Sequence, residues 1–271
     1  SFRKSTLVNA FIVRYLIQIH HQSYSMNILI IGSGPNAIEA RSWDRSPFDR
    51  IVVINNAWRV RDDWDDMIFP YDFADQNKPA RIEPHQRFIT EADFVPAQNS
   101  MGGFVYAGAT MAFTAGYWCL AAFSPQLIGF AGCNMYYPDS GDTHFYGTGT
   151  PDPMRDDISL TSLKACSYRM MAFAGQQGCN LVSLSSGETN LSIPQIDHGE
   201  VATYLPEQKL NRHHLKEALK MEQKLDYHTP DGRYWENLER YDRASLEALD
   251  QIWMKVFDSD ITPDMKPGSA S

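Results

Sequence analysis

Cysteine is rare in this chain, and the few that occur form no familiar motif. Of 271 residues only four are cysteines, namely Cys119, Cys133, Cys166 and Cys179. No two have the C-x-x-C spacing, so the sequence indicates neither a zinc site nor a redox pair. All four lie in apolar surroundings, which favours buried, reduced thiols in a cytoplasmic protein.

Basic residues are in deficit. Lysine and arginine total 24 against 33 aspartates and glutamates, which gives a formal net charge of −9. General nucleic-acid binding requires clustered Lys and Arg to contact phosphates, so an acidic surface argues against that function. A local basic pocket for an anionic small molecule remains compatible with this composition.

Long, uninterrupted apolar runs are also missing. The nearest candidate is the N-terminal stretch TLVNAFIVRYLIQIHH, which Arg14 interrupts. It is too short to span a bilayer and lacks the small-residue cleavage site of a signal peptide. We expect residues 1–25 to be a peripheral or non-native extension, with an amphipathic helix on a partner or membrane surface as the alternative. The expected location is the cytoplasm, either free or peripheral at the inner face of the membrane.

The residues that are present predict a packed α/β protein. Apolar residues make up 43% of the chain, enough for a substantial core. Apolar strand-like runs at Asn27–Ile31, Ile51–Ile54 and Leu127–Ala131 are separated by helical patterns, beginning with a helix at 36–42. This order predicts a Rossmann-like fold, with a mostly parallel sheet flanked by helices.

The remaining pattern divides the chain into segments. DMIFPYDFAD and RFITEADFV suggest short strands, SLTSLKACSYRMMAFAGQQG an amphipathic helix ending at Gly178, and NLVSLSS a further strand. The glycine- and proline-rich loop 138–157 is long enough to be functional. We therefore expect a Rossmann-like domain at 26–203, followed by a helical C-terminal region or lid at 204–271 with a flexible tail.

The turn after the first strand carries the most specific signal. In GSGPNA, Gly32, Gly34 and Ala37 satisfy G-x-G-x-x-G/A between a strand and a helix. Glycines allow a phosphate to approach the backbone, and helix N-terminal amides point toward it. A tight turn without a ligand is the structural alternative.

A dinucleotide site makes a further demand that this sequence does not meet. An acidic residue at the end of the second strand should bind the ribose hydroxyls. Here Asn55 and Asn56 occupy that place, and Pro35 removes one amide donor from the turn. An NAD- or FAD-dependent oxidoreductase is therefore the second interpretation, and a non-catalytic nucleotide-binding protein the third.

The preferred interpretation comes from a resemblance. ILIIGSGPNAIEA, FDRIVVINNAW, a small-residue helix and QLIGFAGCNMYY follow one another as in the bacterial sialyltransferases of glycosyltransferase family 42, and more faintly as in family 29. The resemblance covers roughly residues 26–186. It implies transfer of sialic acid or a related nonulosonic acid from a CMP-sugar to a glycan hydroxyl, with the CMP-sugar as donor substrate and no cofactor. The chain has no D-x-D motif at a strand end, which fits metal-independent transfer.

The resemblance assigns roles to several binding residues. The residues that would hold the phosphate and ribose are Gly32, Ser33, Gly34, Pro35 and Asn36. Asn55 or Asn56 would contact the sugar or the cytidine. Gly108 and Thr110 correspond loosely to a Ser/Thr-Gly pair that touches the nucleotide. Arg155 is the nearest cation for an acidic sugar carboxylate or a phosphate.

The catalytic groups are expected in the long loop. Tyr136 and Tyr146 would donate hydrogen bonds to the departing phosphate, unless they only pack under the loop. His144 is the candidate base for the acceptor hydroxyl, since histidine titrates near neutral pH. In family 42 the proposed base lies further along, where this chain offers Asp157, which we keep as a second candidate.

Overall fold

The protein is described from a computed structural model, which covers residues 26–137, 141–149, 155–206 and 209–257. Six strands form one parallel sheet: β1 (Asn27–Ile31), β2 (Arg50–Ile54), β3 (Asp66–Ile68), β4 (Arg87–Ile89), β5 (Leu127–Ala131) and β6 (Asn180–Ser183). Their order in the sheet is β4-β3-β2-β1-β5-β6. The predicted Rossmann-like α/β fold is confirmed, and so are the first and fifth strands with their bounds.

The central strand β1 is apolar throughout because both of its faces are covered. Ile30 lies opposite Val52 on one side and Phe130 on the other. Ile28 and Ile30 pack into one hydrophobic layer, and Leu29 and Ile31 pack into the opposite layer. Side chains alternate across a strand, so a strand buried on both faces is a continuous apolar run.

The two faces of the sheet are covered by different structures. The α-helices are α1 (Glu91–Asn99), α2 (Phe104–Ala107), α3 (Met111–Phe123), α4 (Leu163–Gln176), α5 (Arg212–Leu225) and α6 (Arg243–Trp253). These helices contribute to the layer that contains Ile28 and Ile30. The opposite layer is covered by short 3₁₀ segments, including Pro35–Arg41, Asn55–Arg59 and His198–Thr203, and by loops.

Two local predictions need correction. The segment predicted as a helix at 36–42 is a 3₁₀ helix at Pro35–Arg41. In RFITEADFV the strand ends at Ile89, and EADFV begins α1. Thr90 and Asp93 form a capping box at that point, because each side chain accepts a hydrogen bond from the other residue's backbone amide. This reciprocal capping converts an apparent strand into a helix start.

The C-terminal helices belong to the main core. Leu215, Leu246 and Trp253 lie in the same hydrophobic cluster as Ile28. The predicted extension at 1–25 and the tail beyond 257 lie outside the described residues, and the proposed boundary at 203 stays a prediction. None of the helices in the described ranges is long and apolar enough to cross a membrane.

The strand order creates a topological switch. The chain runs outward from β1 through β2, β3 and β4 on one side, and continues through β5 and β6 on the other. After β1 and after β5 the chain therefore continues toward opposite edges of the sheet. In open α/β sheets, ligands bind outside the carboxyl ends of the strands at this point.

Candidate functional site

A crevice of about 450 Å³ lies at the carboxyl ends of β1, β2 and β5. It gathers eight of the residues predicted from sequence: Gly32, Ser33, Gly34, Asn55, Asn56, Thr110, His144 and Tyr146. These residues come from four separate segments of the chain. The carboxyl ends of parallel strands meet at one edge of the sheet, and that geometry brings the four segments together.

The glycine turn is shaped by contact with the turn that follows β5. The Gly32 amide donates to the Ala131 carbonyl at 2.8 Å, and the Gly34 amide donates to the Gly132 carbonyl at 2.9 Å. A Cβ atom at Gly32 would lie 2.5 Å from the Gly132 oxygen. Both glycine amides thus already donate to carbonyl groups at the end of β5. They are not available to a phosphate, which would need a different donor.

The N-terminus of α3 provides that donor. Thr110 caps this 13-residue helix by accepting a hydrogen bond from the Phe113 amide, and Thr110, Met111 and Ala112 line the crevice. The first amides of a helix have no intrahelical acceptor, and the helix dipole places partial positive charge there. An anion in the crevice would therefore be stabilised by α3 and not by the short 3₁₀ segment after Gly34.

Two asparagines at the end of β2 present buried, unsatisfied acceptors. The Oδ1 atoms of Asn55 and Asn56 are inaccessible to solvent, and neither accepts a hydrogen bond from a described residue. Asn55 has a φ of 51°, a left-handed conformation that asparagine tolerates better than most residues. Buried polar atoms in proteins nearly always have partners. A hydrogen-bond-donating ligand in the crevice would give these oxygens partners if the two side chains turned toward it.

Aromatic side chains form the opposite wall of the crevice. The ring of His144 stacks on Tyr146, with centroids 5.0 Å apart, and lies 6.4 Å from Tyr137. The Phe145 amide donates to the Ser33 carbonyl at 3.1 Å, which holds this loop against the glycine turn. The loop's rings are therefore close to the same crevice as the asparagines.

Six of the predicted site residues do not line this crevice. Two of them, Arg155 and Asp157, line a second cavity that adjoins it, and the other four line neither space. Tyr136 is 40% exposed, and its neighbour Tyr137 lines the crevice in its place. Pro35 begins the 3₁₀ segment, and the side-chain amide of Asn36 donates to the Ser186 carbonyl at 2.9 Å. Gly108 has a φ of 84°, and a Cβ atom there would lie 2.8 Å from the Phe113 ring. These geometries assign structural contacts to Pro35, Asn36 and Gly108.

Arg155 and Asp157 lie in that neighbouring second cavity. Asp157 Oδ2 accepts hydrogen bonds from Arg155 Nε at 3.0 Å and from the Tyr234 hydroxyl at 2.7 Å. Burial alone would raise the pKa of Asp157, but hydrogen bonds from Ser159, Tyr234 and Arg155 outweigh it and lower the pKa below its usual value. Asp157 is therefore held as an ionised carboxylate.

The crevice has little formal charge. Among its described lining residues there is no lysine or arginine, and Asp72 is the one carboxylate. Cys133 also lines it, but burial raises the pKa of that thiol to about 12, so it stays neutral and weakly nucleophilic. The described residues contain no group of three or more His, Cys, Asp or Glu arranged to hold a metal ion.

No protein-family model, curated protein or solved structure matches this chain. The functional assignment therefore depends on the geometry of the crevice and on the motif resemblance.

Sequence reasoning missed twelve of the twenty described lining residues, among them Tyr137, Met111 and Ala112. Tyr137 is adjacent to the tyrosine that was predicted, and alternation along the loop could have favoured either one. Met111 and Ala112 contribute through the helix N-terminus and not through their side chains. The signal for them was a threonine before an apolar helical run, which is a typical N-cap pattern.

Proposed function

We propose that this chain is a glycosyltransferase that moves an acidic sugar, sialic acid or a related nonulosonic acid, from a CMP-sugar to a glycan hydroxyl. The observation that carries the proposal is the pair of unsatisfied asparagine oxygens beside the α3 N-terminus in the switch-point crevice. The motif resemblance in 26–186 supplies the reaction class.

The hydrogen-bonding demand of the asparagines suits a cytidine nucleotide. A buried oxygen without a donor is unfavourable by about 1–3 kcal/mol, so the free crevice favours a ligand that supplies N–H or O–H groups. The ribose hydroxyls and the exocyclic amine of cytosine are such groups. A carboxylate, which dinucleotide sites prefer at this position, is absent from the end of β2.

The electrostatics favour a single phosphate. A CMP-sugar carries one phosphodiester charge between the nucleoside and the sugar, whereas UDP-sugars and dinucleotides carry a diphosphate. The crevice offers the positive end of α3 and has no Lys or Arg among its described lining residues, while Asp72 is its one carboxylate. One helix N-terminus balances about half an elementary charge, which is a better match to one phosphate than to two.

The reaction would be an in-line displacement at the anomeric carbon. The acceptor oxygen forms the new bond to that carbon as the bond to the phosphate oxygen breaks, and CMP leaves with the electron pair. His144 takes the acceptor proton, while Tyr146 and Tyr137 donate hydrogen bonds to the phosphate as its charge increases. Asp157 is the weaker candidate base because Arg155 and Tyr234 stabilise its ionised form.

A nucleotide panel tests the proposal. Thermal denaturation is recorded with CMP, CDP, UDP, NAD and FAD, each over a concentration series. A ligand present at a hundred times its dissociation constant adds about 2.7 kcal/mol of stability, which raises the melting temperature. We expect the largest increase with CMP. A response to NAD or FAD without one to CMP would favour the oxidoreductase alternative, and no response to any of the five would contradict nucleotide binding.

A further inference from the structure

The second cavity borders the proposed nucleotide crevice and has a volume of about 730 Å³. Pro70, Asp72 and Met111 line both spaces, so the two adjoin at these residues. Ligand sites for small molecules have volumes of roughly 300–1,000 Å³, and this cavity is large enough for one or two sugar rings. An occupant of this cavity would lie next to a donor bound in the crevice.

Exposed aromatic rings line the second cavity. Tyr71 is 73% exposed and Trp235 is 46% exposed, although both are large residues that a core would normally bury. Aromatic side chains that combine an apolar face with a polar tip are typical of recognition surfaces. The apolar C–H faces of sugar rings pack against such rings. The aromatic lining therefore favours a saccharide.

Carboxylates are in excess in the second cavity. Four carboxylate residues line it, namely Asp72, Glu91, Asp157 and Asp231, against the guanidinium groups of Arg155 and Arg233. Both guanidinium groups already face a carboxylate. Arg155 is 3.0 Å from Asp157, and Arg233 is 3.4 Å from Glu236. The lining of the cavity thus has four carboxylates against two guanidinium groups, whereas the crevice has the single carboxylate of Asp72, which both spaces share.

Glu91 adds an independent sign of a missing ligand. It begins α1, and its Oε1 atom is buried without a hydrogen bond from any described residue. A buried carboxylate oxygen without a donor is more costly than a neutral one. If the Glu91 side chain turned toward the cavity, a sugar hydroxyl or a sugar ammonium group would satisfy this oxygen, whereas a sugar carboxylate would be repelled by the Glu91 carboxylate.

We infer that the second cavity binds the acceptor of the proposed transfer. This acceptor is a neutral or amine-bearing saccharide, and the cavity excludes sugars that carry a carboxylate. The identification of the occupant as an acceptor rests on the proposed function, but the charge selectivity follows from the cavity alone. The protein would separate its substrates by charge, with the anionic donor at the α3 N-terminus and the uncharged or cationic acceptor among the carboxylates.

The test measures sugar binding to the donor-free protein. The probes are galactose, galactosamine and galacturonate, which share one ring and differ in charge, together with glucose, glucosamine and glucuronate. Saturation-transfer NMR titrations give a dissociation constant for each. We expect the neutral and amino sugars of at least one series to bind, and the uronate of that series to bind at least about tenfold more weakly.

Charge variants then test the cause of the selectivity. The double variant Glu91→Gln with Asp231→Asn keeps the side-chain shapes and removes two of the lining carboxylates. The ratio of the dissociation constant of the uronate to that of the neutral sugar should fall several-fold in this double variant. Glu217→Gln on the exposed face of α5 should leave the ratio unchanged. Equal or tighter uronate binding, unaltered selectivity in the double variant, or no binding of any of the six sugars would overturn the inference.

Failure of this inference is distinguishable from failure of the proposed function. Sugar binding in these titrations requires no nucleotide, and the CMP response requires no sugar. Selective sugar binding without a CMP response would refute the transferase and leave the cavity's selectivity standing. A CMP response without selective sugar binding would do the reverse.

Discussion

At the residue scale, the most informative groups are polar atoms whose partners are missing. Asn55, Asn56 and Glu91 each have a side-chain oxygen that is buried and accepts no hydrogen bond from a described residue. The asparagines line the switch-point crevice and Glu91 lines the second cavity. Buried polar atoms left unsatisfied reduce stability, so the three that belong to lining residues of these adjoining spaces favour ligand binding, whereas the unpartnered atoms of Gln98 and Asn99 lie in residues that line neither space.

Replacement of Asn56 by alanine separates binding from folding. Asn56→Ala removes an oxygen that has no partner among the described residues of the free protein, so the free energy of unfolding should change by less than about 1 kcal/mol. The affinity for CMP should fall about tenfold, since one hydrogen bond is lost. Urea denaturation and CMP titration measure the two quantities. We choose Asn56 because Asn55, at a φ of 51°, would add backbone strain.

Asn27 provides the matched control for this experiment. Its side-chain amide donates to the Pro47 carbonyl at 3.0 Å, and it lies at the start of β1, away from the crevice at the strand's other end. Asn27→Ala should destabilise the protein by about 1 kcal/mol without changing the affinity for CMP. If Asn56→Ala behaves in the same way, the unsatisfied oxygen has no role in binding.

Asp250 on α6 should make stability depend on pH. Burial raises the pKa of Asp250 to about 6, and a hydrogen bond from Thr161 offsets only part of this effect. The carboxyl ionises near its usual pKa of about 3.9 when the chain is unfolded. The folded state therefore holds the proton more tightly, and stability falls as the pH rises through this window, with the full penalty present above about 6.

Asp250→Asn removes this titration. At pH 7.5 the variant should be more stable than the wild type, because its side chain carries no buried charge. Its advantage should shrink by about 2 kcal/mol between pH 7.5 and pH 4.5, where the wild-type carboxyl becomes protonated. Urea denaturation of both proteins at the two pH values measures the change. A difference that does not vary with pH would show that the pKa of Asp250 is unperturbed.

At the element scale, the turns after β1 and β5 interlock, and this contact positions the crevice. Gly132 has a φ of 65°, and a Cβ atom there would lie 2.5 Å from the Cβ atom of Ala37. The 3₁₀ segment that contains Ala37 therefore packs directly onto the β5 turn. The N-terminus of α3 faces the same space, so the binding geometry depends on how three elements meet.

Gly132→Ala should destabilise the protein strongly. The left-handed backbone and the clash with Ala37 together should lower the free energy of unfolding by at least about 2 kcal/mol. Gly175→Ala is the control, because Gly175 lies in α4 and a Cβ atom added there would have no described neighbour within 4 Å. That change should stabilise the helix by up to about 1 kcal/mol. Equal effects in urea denaturation would contradict the interlocked turns.

At the scale of the whole molecule, a buried ion pair connects the C-terminal helices to the sheet domain. Arg169 on α4 is fully buried and donates to both carboxylate oxygens of Glu222 on α5, at 2.7 and 2.9 Å. It also donates to the Tyr117 hydroxyl on α3, and Trp253 on α6 donates to Glu222. This network joins four helices, so the C-terminal region folds with the core that supports the second cavity.

Removal of one charge from this pair should be costly. Glu222→Gln leaves the guanidinium of Arg169 buried without a counter-charge, and the free energy of unfolding should fall by about 3–5 kcal/mol. Glu217→Gln on the exposed face of the same helix should change it by less than about 0.5 kcal/mol. Urea denaturation compares the two variants. A loss below about 1 kcal/mol for Glu222→Gln would mean that the Tyr117 hydroxyl and the Met101 carbonyl suffice for Arg169.

The sequence by itself determined the parallel sheet and much of the candidate site. Apolar runs such as Ile28–Ile31 are readable because a strand buried on both faces has no polar alternation. The positions of the glycine turn and of the asparagine pair could be predicted because both directly follow strands, and the carboxyl ends of parallel strands meet at one edge of the sheet.

Only the tertiary structure decided which groups those residues contact. It engaged the glycine amides with the β5 turn, placed the N-terminus of α3 at the crevice, and placed Arg155 and Asp157 in a second cavity. The physical reason is that hydrogen-bond partners and burial depend on segments distant in sequence. A local pattern specifies the conformation of a turn. Whether the polar groups of that turn find hydrogen-bond partners depends on how the whole chain packs.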